Sequence, residues 1–310
     1  MTNSMTSGPD TPRHKKRLSL FGGSRTTLTA WLFITPAFIA YAAFVLGPLV
    51  MSGYYSLLRW DGIGEASFYG LRNYVTVLTD SDLLQIIGNA FQLVLYFTLI
   101  PVLLGLAVAS TIRSQMDGKF GTLTRTVLFL PQVIPLVAAG IAWSWMFAST
   151  GLVNQMLKAV GLSSWVRGWL GDFTFALPAV GVIGAWVLLG LCTMLLVTGI
   201  TKIDPSLYEA AKLDGAKPWH EFRYITLPGL RQEIGVCVTV TVIAALASFD
   251  IVYIATQGGP GITTTVPGLE IYRLAFAHRQ VGLASALAIV LMLLVLISIA
   301  PVQWFTREKK

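Results

Sequence analysis

Six stretches of the chain are almost wholly apolar: Leu28 to Val50, Ile86 to Ser110, Thr126 to Ala148, Phe175 to Thr201, Ile234 to Thr256 and Val281 to Phe305. A helix needs about 20 apolar residues to cross a hydrocarbon layer of about 30 Å, so each stretch predicts one transmembrane helix. Pro36, Pro101, Pro131, Pro135 and Pro178 fall within them and predict bends or broken ends inside a packed bundle, where neighbours satisfy the freed carbonyls. The polar stretches between are short, and none is long enough to bury a core of its own. Within residues 51–85, Gly70 to Leu78 predicts a short interfacial helix, with Trp60, Tyr69 and Tyr74 at headgroup depth. The expected architecture is an all-α membrane protein with six spans over residues 28–305. A disordered tail rich in Ser, Thr, Gly and Pro precedes it over 1–27, and a short terminal segment, 306–310, follows.

Composition supports this reading. With 55% hydrophobic and only 12% charged residues, the chain cannot hide its apolar surface in one soluble core. The formal charge of +7 raises the question of nucleic acid. Lys and Arg sit in loops beside the spans and form no basic helix face or aromatic-interleaved groove, so no nucleic-acid partner is expected. Their distribution sets topology instead. With the N-terminus inside, the tail, 111–125, 202–233 and 306–310 carry 16 of the 22 Lys and Arg residues, and both termini are expected in the cytoplasm.

Little in the chain suggests chemistry. Cys192 and Cys237 lie inside apolar spans without metal-ligand or disulfide spacing and are expected to be small packing residues. His14, His220 and His278 are scattered over a tail and two loops, so neither a metal site nor a catalytic triad is expected. There is no G-x-x-x-x-G-K-[ST] loop to cradle phosphates; Gly118-Lys119 has the wrong surroundings. No catalytic residue, bound metal or cofactor is expected on this chain.

One long polar segment interrupts the cytoplasmic side, Asp204 to Arg231. Asp204 can cap a helix with Pro205 in its first position, and Ser206 with Glu209 has capping-box spacing. Leu207, Ala210, Ala211 and Leu213 line its less polar side, and the alanines permit close approach of another surface. Gly215 supplies a stop. Pro218 opens a second helical piece through Trp219, Phe222 and Tyr224, and Pro228 is expected to end it before the next span. An amphipathic loop of this kind can simply rest among lipid headgroups.

The residue order in this segment resembles a known signature. EAAKLDGA (Glu209 to Ala216), then WHEF and ITLP (Ile225 to Pro228), is similar to the EAA loop of permease subunits in binding-protein-dependent ABC importers. GLRNY (Gly70 to Tyr74), RTVLFLPQVIP (Arg125 to Pro135), IAWSWMF (Ile141 to Phe147) and FDIVYIATQGGPG (Phe249 to Gly261) resemble the sugar-importing branch, carbohydrate or glycerol-phosphate type. The resemblance runs over nearly the whole chain from about residue 28.

The resemblance implies a type I ABC importer permease fold, six spans with a cytoplasmic two-helix coupling loop at 204–231. Glu209, Ala210, Ala211, Leu213, Asp214 and Gly215 would dock on cytosolic ATPase subunits, which would bind ATP and Mg themselves. It also implies a second homologous permease, two ATPase subunits, an extracytoplasmic solute-binding protein and a bacterial inner-membrane location. The alternative is an ion-coupled secondary transporter or a channel. Asp250, expected near the outer end of the fifth span, is the one ionisable residue well inside a span. No inverted repeat, ring of charges or carbonyl filter is evident.

A neutral sugar needs hydrogen-bonding groups and aromatic faces. Polar or aromatic residues in the spans are Asn89, Gln92, Tyr96, Trp186, Thr193, Ser248 and Tyr253. The family's habit of placing solute contacts in the spans beside the EAA loop favours Trp186, Thr193 and Ser248, and the expected substrate path is Asn89, Trp186, Thr193, Ser248, Asp250 and Tyr253.

Overall fold

In a computed structural model of the protein, residues 24–112 and 119–306 are described. Most of the tail expected over 1–27, and residues 307–310, therefore lie outside the described residues. Residues 24–27 already belong to a helix. The chain forms two compact units, Met1–Met51 and Ser52–Lys310.

The described part of the first unit is one apolar helical run. It comprises α1 (Ser24–Tyr41), a π turn at Ala42–Leu46, and α2 (Gly47–Tyr55), whose end passes into the second unit. Trp31–Tyr55 is long and apolar enough to cross a membrane. Pro36 sits inside α1 without ending it. The π turn ends two residues before Pro48, and its wider path makes room for a ring that would otherwise meet the carbonyl four residues back.

The second unit opens with a short hairpin, β1 (Leu58–Arg59) paired antiparallel with β2 (Ser67–Phe68). The carboxylate of Asp61 turns the chain between them by accepting the amides of Ile63 (3.0 Å) and Gly64 (2.7 Å). Those bonds hold the Asp61 carboxyl below its ordinary range. This is a small departure from the all-helical expectation, because two residues per strand carry no readable period. The interfacial helix expected near Gly70 is α3 (Arg72–Thr79). Its buried Asn73 donates to the carbonyls of Ser56 and Leu58, both at 2.9 Å, and ties α3 to the hairpin.

The helices that follow are α4 (Ser81–Ile112), α5 (Lys119–Val133), α6 (Leu136–Met146), α7 (Leu152–Ala159) and α8 (Ala176–Ile200). Then come α9 (Pro205–Leu213), α10 (Pro218–Glu221), α11 (Leu227–Gly229), α12 (Arg231–Leu246), α13 (Asp250–Ala255), α14 (Pro267–Tyr272) and α15 (Val281–Thr306). Within this unit Ser81–Thr111, Ala176–Ile200 and Val281–Thr306 are each long and apolar enough to cross a membrane.

The third and fifth expected spans are not single straight helices. Thr126–Val133 and Leu136–Met146 meet at 106°, because Pro131 and Pro135 flank the turn and neither offers an amide to a continuous ladder. Arg231–Leu246 bends by 68° from the helical stretch Pro218–Gly229 before it. At its other end α12 stops at Leu246, and α13 begins at Asp250. Among the described residues there are thus four single helices long and apolar enough to cross a membrane, or up to six candidate spans if each bent pair counts as one.

Helix α8 is the centre. Two thirds of its most apolar window (67%) is buried, against 22% for α15, and it packs along α4 and also touches α5 and α12. Its glycines allow this. A β-carbon at Gly184 would lie 2.0 Å from the ring of Phe97, and one at Gly181 would lie 2.5 Å from that of Tyr96. Around this seam Leu93, Phe97, Val180, Ile183, Ile251 and Leu269 form one buried cluster. Val102, Leu106, Leu196, Ile200 and Leu230 form a second, which holds both cysteines; the Cys237 thiol points at the Cys192 carbonyl, 3.8 Å away.

Candidate functional site

Two interruptions of the helical bundle carry exposed or unpartnered polar groups. The first is the loop between α8 and α12. Asp204 caps α9 by accepting the Ser206 amide (2.9 Å). That bond, reinforced by the Ser206 side chain, lowers the Asp204 carboxyl from its ordinary value. The capping-box pairing of Ser206 with Glu209 does not form, because Asp204 is the cap and Pro205 the first residue, which leaves Ser206 inside the helix.

The far end of α9 closes as expected. Gly215 takes φ +77°. Its amide donates to the Lys212 carbonyl (3.0 Å), and that of Ala216 donates to the Ala211 carbonyl (2.9 Å). This paired closure needs a left-handed residue, which glycine adopts without cost from a side chain.

Beyond Gly215 the chain differs from expectation. Pro228 does not end the second piece. A π turn at Phe222–Thr226 absorbs it, α11 continues to Gly229, and the break falls at Leu230 (φ −91°, ψ 7°). As at Pro48, the wide turn ends two residues before the proline.

The loop is fastened underneath and open above. Buried Tyr208 and Thr226 share a hydroxyl hydrogen bond of 3.0 Å, and Ile203 lies against Gly229. Lys202 pairs with Glu233 at 2.9 Å. Glu209, Ala210, Leu213, Asp214 and Gly215 are exposed, and Ala211 is half-buried. Leu213 is 89% exposed, with Trp219 and Tyr224 at 63% and 69%. So large an apolar set on a polar segment marks a contact surface. Tyr208, the anchor, was missed in the sequence because an aromatic on a short amphipathic helix reads equally well as an outward contact.

The second interruption is a cavity of about 510 Å³ where the break before α6 faces the break before α13. Its wall includes Gln132, Phe97, Gly184, Ser248, Phe249 and Asp250. The two elements beyond the breaks touch, with Ile254 of α13 against Gly140 of α6. Irregular backbone within apolar spans is tolerated where it is buried in protein or lines a wet cavity. The Oε1 atom of Gln132 is buried and has no hydrogen-bond partner among the described residues.

The expected path residues separate here. Ser248 and Asp250 line the cavity. Asp250 lies in the first turn of α13, after the break, rather than on the run of the fifth span. Asn89 is a brace: its amide donates to the carbonyls of Ile262 (3.0 Å) and Thr265 (2.8 Å). Thr193 is buried against Gly105 in the α4–α8 seam. Trp186 stands edge-on to Trp143, 5.6 Å away. Tyr253 stacks on Phe249 at 5.3 Å and is itself 39% exposed. Gln132 was missed, although its signal was legible as a lone polar residue between Pro131 and Pro135 in an apolar run.

A family profile described as "Binding-protein-dependent transport system inner membrane component" matches residues 101–310. The probable ABC transporter permease protein YurN of Bacillus subtilis is 33% identical over 290 residues, covering 93% of this chain and 99% of that one. The trehalose/maltose transport system permease protein MalF of Thermococcus litoralis is 32% identical, covering 88% and 91%. Among solved structures, a bacterial alginate ABC transporter in complex with alginate pentasaccharide-bound periplasmic protein superposes with a TM-score of 0.75 at 22% identity, covering 91% of this chain and 95% of that one. That likeness shows a shared fold.

Proposed function

Because the chain belongs to the family of inner-membrane components of binding-protein-dependent transport systems, we propose that it forms half of the translocation path of an ATP-driven sugar importer. It is a multi-pass membrane protein and a permease subunit. It crosses the membrane six times, with α5 and α6 together as the third span, α12 and α13 together as the fifth, and both termini in the cytoplasm, as the concentration of Lys and Arg on that side supports.

The loop from Asp204 to Leu230 lies on the cytoplasmic face and docks on ATPase subunits. The observation that carries this reading is the exposed edge Glu209 to Gly215, turned by a left-handed glycine and riding on the buried Tyr208–Thr226 anchor. Glu209 offers a charge to a basic partner, and Ala210 and Ala211 allow contact near backbone distance. The ATPases bind ATP and Mg, and their closure moves the loop. Since α8 and α12 enter and leave it, that motion reaches the cavity at the far end of α12. A second homologous permease supplies the other half of the path, and an extracytoplasmic binding protein delivers the solute.

A sugar fits the cavity chemically. Carboxylate, amide and hydroxyl groups can receive its hydroxyls, while Phe97 and Phe249 cover its C–H faces. The permease relatives of known sugar systems point the same way.

The test is reconstitution of the chain with its partner permease, two ATPases and binding protein in liposomes, with uptake measured for a panel of di- and oligosaccharides. Uptake is expected only with ATP inside and binding protein outside. Uptake by this chain alone on an ion gradient would establish a secondary carrier instead.

A further inference from the structure

We propose that the cavity between the two helix breaks selects its solute by charge, admitting neutral and cationic (amino) sugars and repelling acidic ones such as uronates and sugar phosphates. The inference rests on the reading of this cavity as the solute path.

The wall is one-sided in charge, although the Gln132 amide nitrogen and the Ser248 hydroxyl can donate as well. Gln132, Ser248 and Asp250 are its polar side chains, and no Lys, Arg or His is among the residues that line it. Asp250 brings a carboxylate, which only accepts hydrogen bonds when ionised. Gln132 has its buried carbonyl oxygen unpartnered among the described residues, a second acceptor in want of a donor. Both groups await protons brought by the ligand. A sugar brings them as hydroxyls, and an amino sugar brings them as an ammonium. A uronate or phosphate brings more acceptors and a like charge.

Among the described residues no ion pair with Asp250 is seen: Arg167 pairs with Asp172, Lys202 with Glu233 and Arg273 with Glu270, all elsewhere. The remaining wall is apolar, contributed by residues such as Phe97, Val187, Leu188 and Ile251. Asp250 is exposed, so part of its field is lost to water, but it stands on the cavity lining beside apolar walls that focus the rest into the space a solute would occupy. Asp250 lies two residues from Ser248, so the charge and the hydroxyl face the same space. Ser248 alone would bind a sugar of any charge. Asp250 is what makes the choice.

The experiment reads the local potential without needing the natural solute. In the assembled transporter, with Cys192 and Cys237 replaced by Ala, Ser248→Cys places a thiol in the cavity. It is treated with a cationic reagent, trimethylammonioethyl methanethiosulfonate, and an anionic one, sulfonatoethyl methanethiosulfonate. The ratio of the two modification rates is compared between Asp250, Asp250→Asn and Asp250→Glu. The ratio, cationic over anionic, is expected to fall by about tenfold on Asp250→Asn and to be kept by Asp250→Glu. Two responsive reagents with an unchanged ratio in Asp250→Asn would overturn the charge selection and leave the path intact. If neither reagent reaches the thiol in any nucleotide state, the path reading fails, and this inference with it.

Discussion

The loop at Asp204–Leu230 and the cavity at Gln132 and Asp250 are both interruptions of apolar helices, yet they are finished in opposite ways. The loop satisfies its backbone internally, through the Asp204 cap and the paired closure at Gly215, and turns large apolar side chains outward, Leu213 and Trp219 foremost. The cavity does the reverse: its apolar groups form walls, and a polar atom of Gln132 is left without a partner inside. A surface of the first kind gains by covering apolar area, which a large partner surface supplies and a small solute does not. A hollow of the second kind gains by completing hydrogen bonds, which a small hydroxylated molecule supplies. The proposed roles, a protein received at one break and a solute at the other, follow this difference in finish.

The sharpest way to break this contrast is at Gly215. Proline fixes φ near −65° and has no amide, whereas Gly215 stands at +77° and donates to Lys212. Gly215→Pro is expected to reduce ATP-driven uptake to background while the chain still inserts and still assembles with the second permease. Glu209→Ala, which leaves the fold of the loop alone, is expected to do the same. Normal uptake in both variants would remove the coupling role from this edge and leave the loop an ordinary interfacial segment.

A second glycine sharpens the contrast from the other side. Gly184 has no unusual torsion; its constraint is contact, since an added β-carbon would lie 2.0 Å from Phe97. Gly184→Ala is expected to cost about 1–3 kcal/mol through overpacking and to lower the thermal unfolding midpoint of the purified complex. Around Gly215 there is open space, so Gly215→Asn, which tolerates a left-handed torsion, should leave that midpoint nearly unchanged. Equal shifts in the two variants would mean that the loop belongs to the packed core.

The two sites were unequally legible in the sequence. The loop is local: Asp204, Pro205, Glu209 and Gly215 lie within one short segment, and capping chemistry with residue order sufficed to outline it. What escaped was its underside, because Tyr208 meets Thr226 across the turn, and because a π turn can absorb a proline such as Pro228 that by rule ends a helix. The cavity is not local. Gln132 and Asp250 come from different spans, and the breaks that bring them together interrupt stretches whose hydropathy runs on unbroken. Hydropathy measures transfer of side chains and is blind to a bend in the backbone. For the same reason hydropathy does not show that Asn89 braces the segment at Ile262–Thr265, or that Thr193 sits in a helix seam with its hydroxyl oxygen unpartnered among the described residues. Polarity within a span shows that a residue needs a partner. Whether the partner is solute or protein depends on the fold.

The smallest expected effect tests whether the loop moves as one body. Tyr208 on α9 and Thr226 before α11 are both buried and hydrogen-bonded at 3.0 Å, so this bond joins the two halves on either side of Gly215. Tyr208→Phe removes one hydroxyl and is expected to cost about 0.5–1.5 kcal/mol. If the halves must move together, ATP hydrolysis should persist while sugar imported per ATP falls severalfold. Thr226→Val should behave alike, and the double variant should be no worse than either single one, since both remove the same bond. Additive losses in that cycle would show that Tyr208 and Thr226 act through separate contacts and that the bond does not transmit the motion.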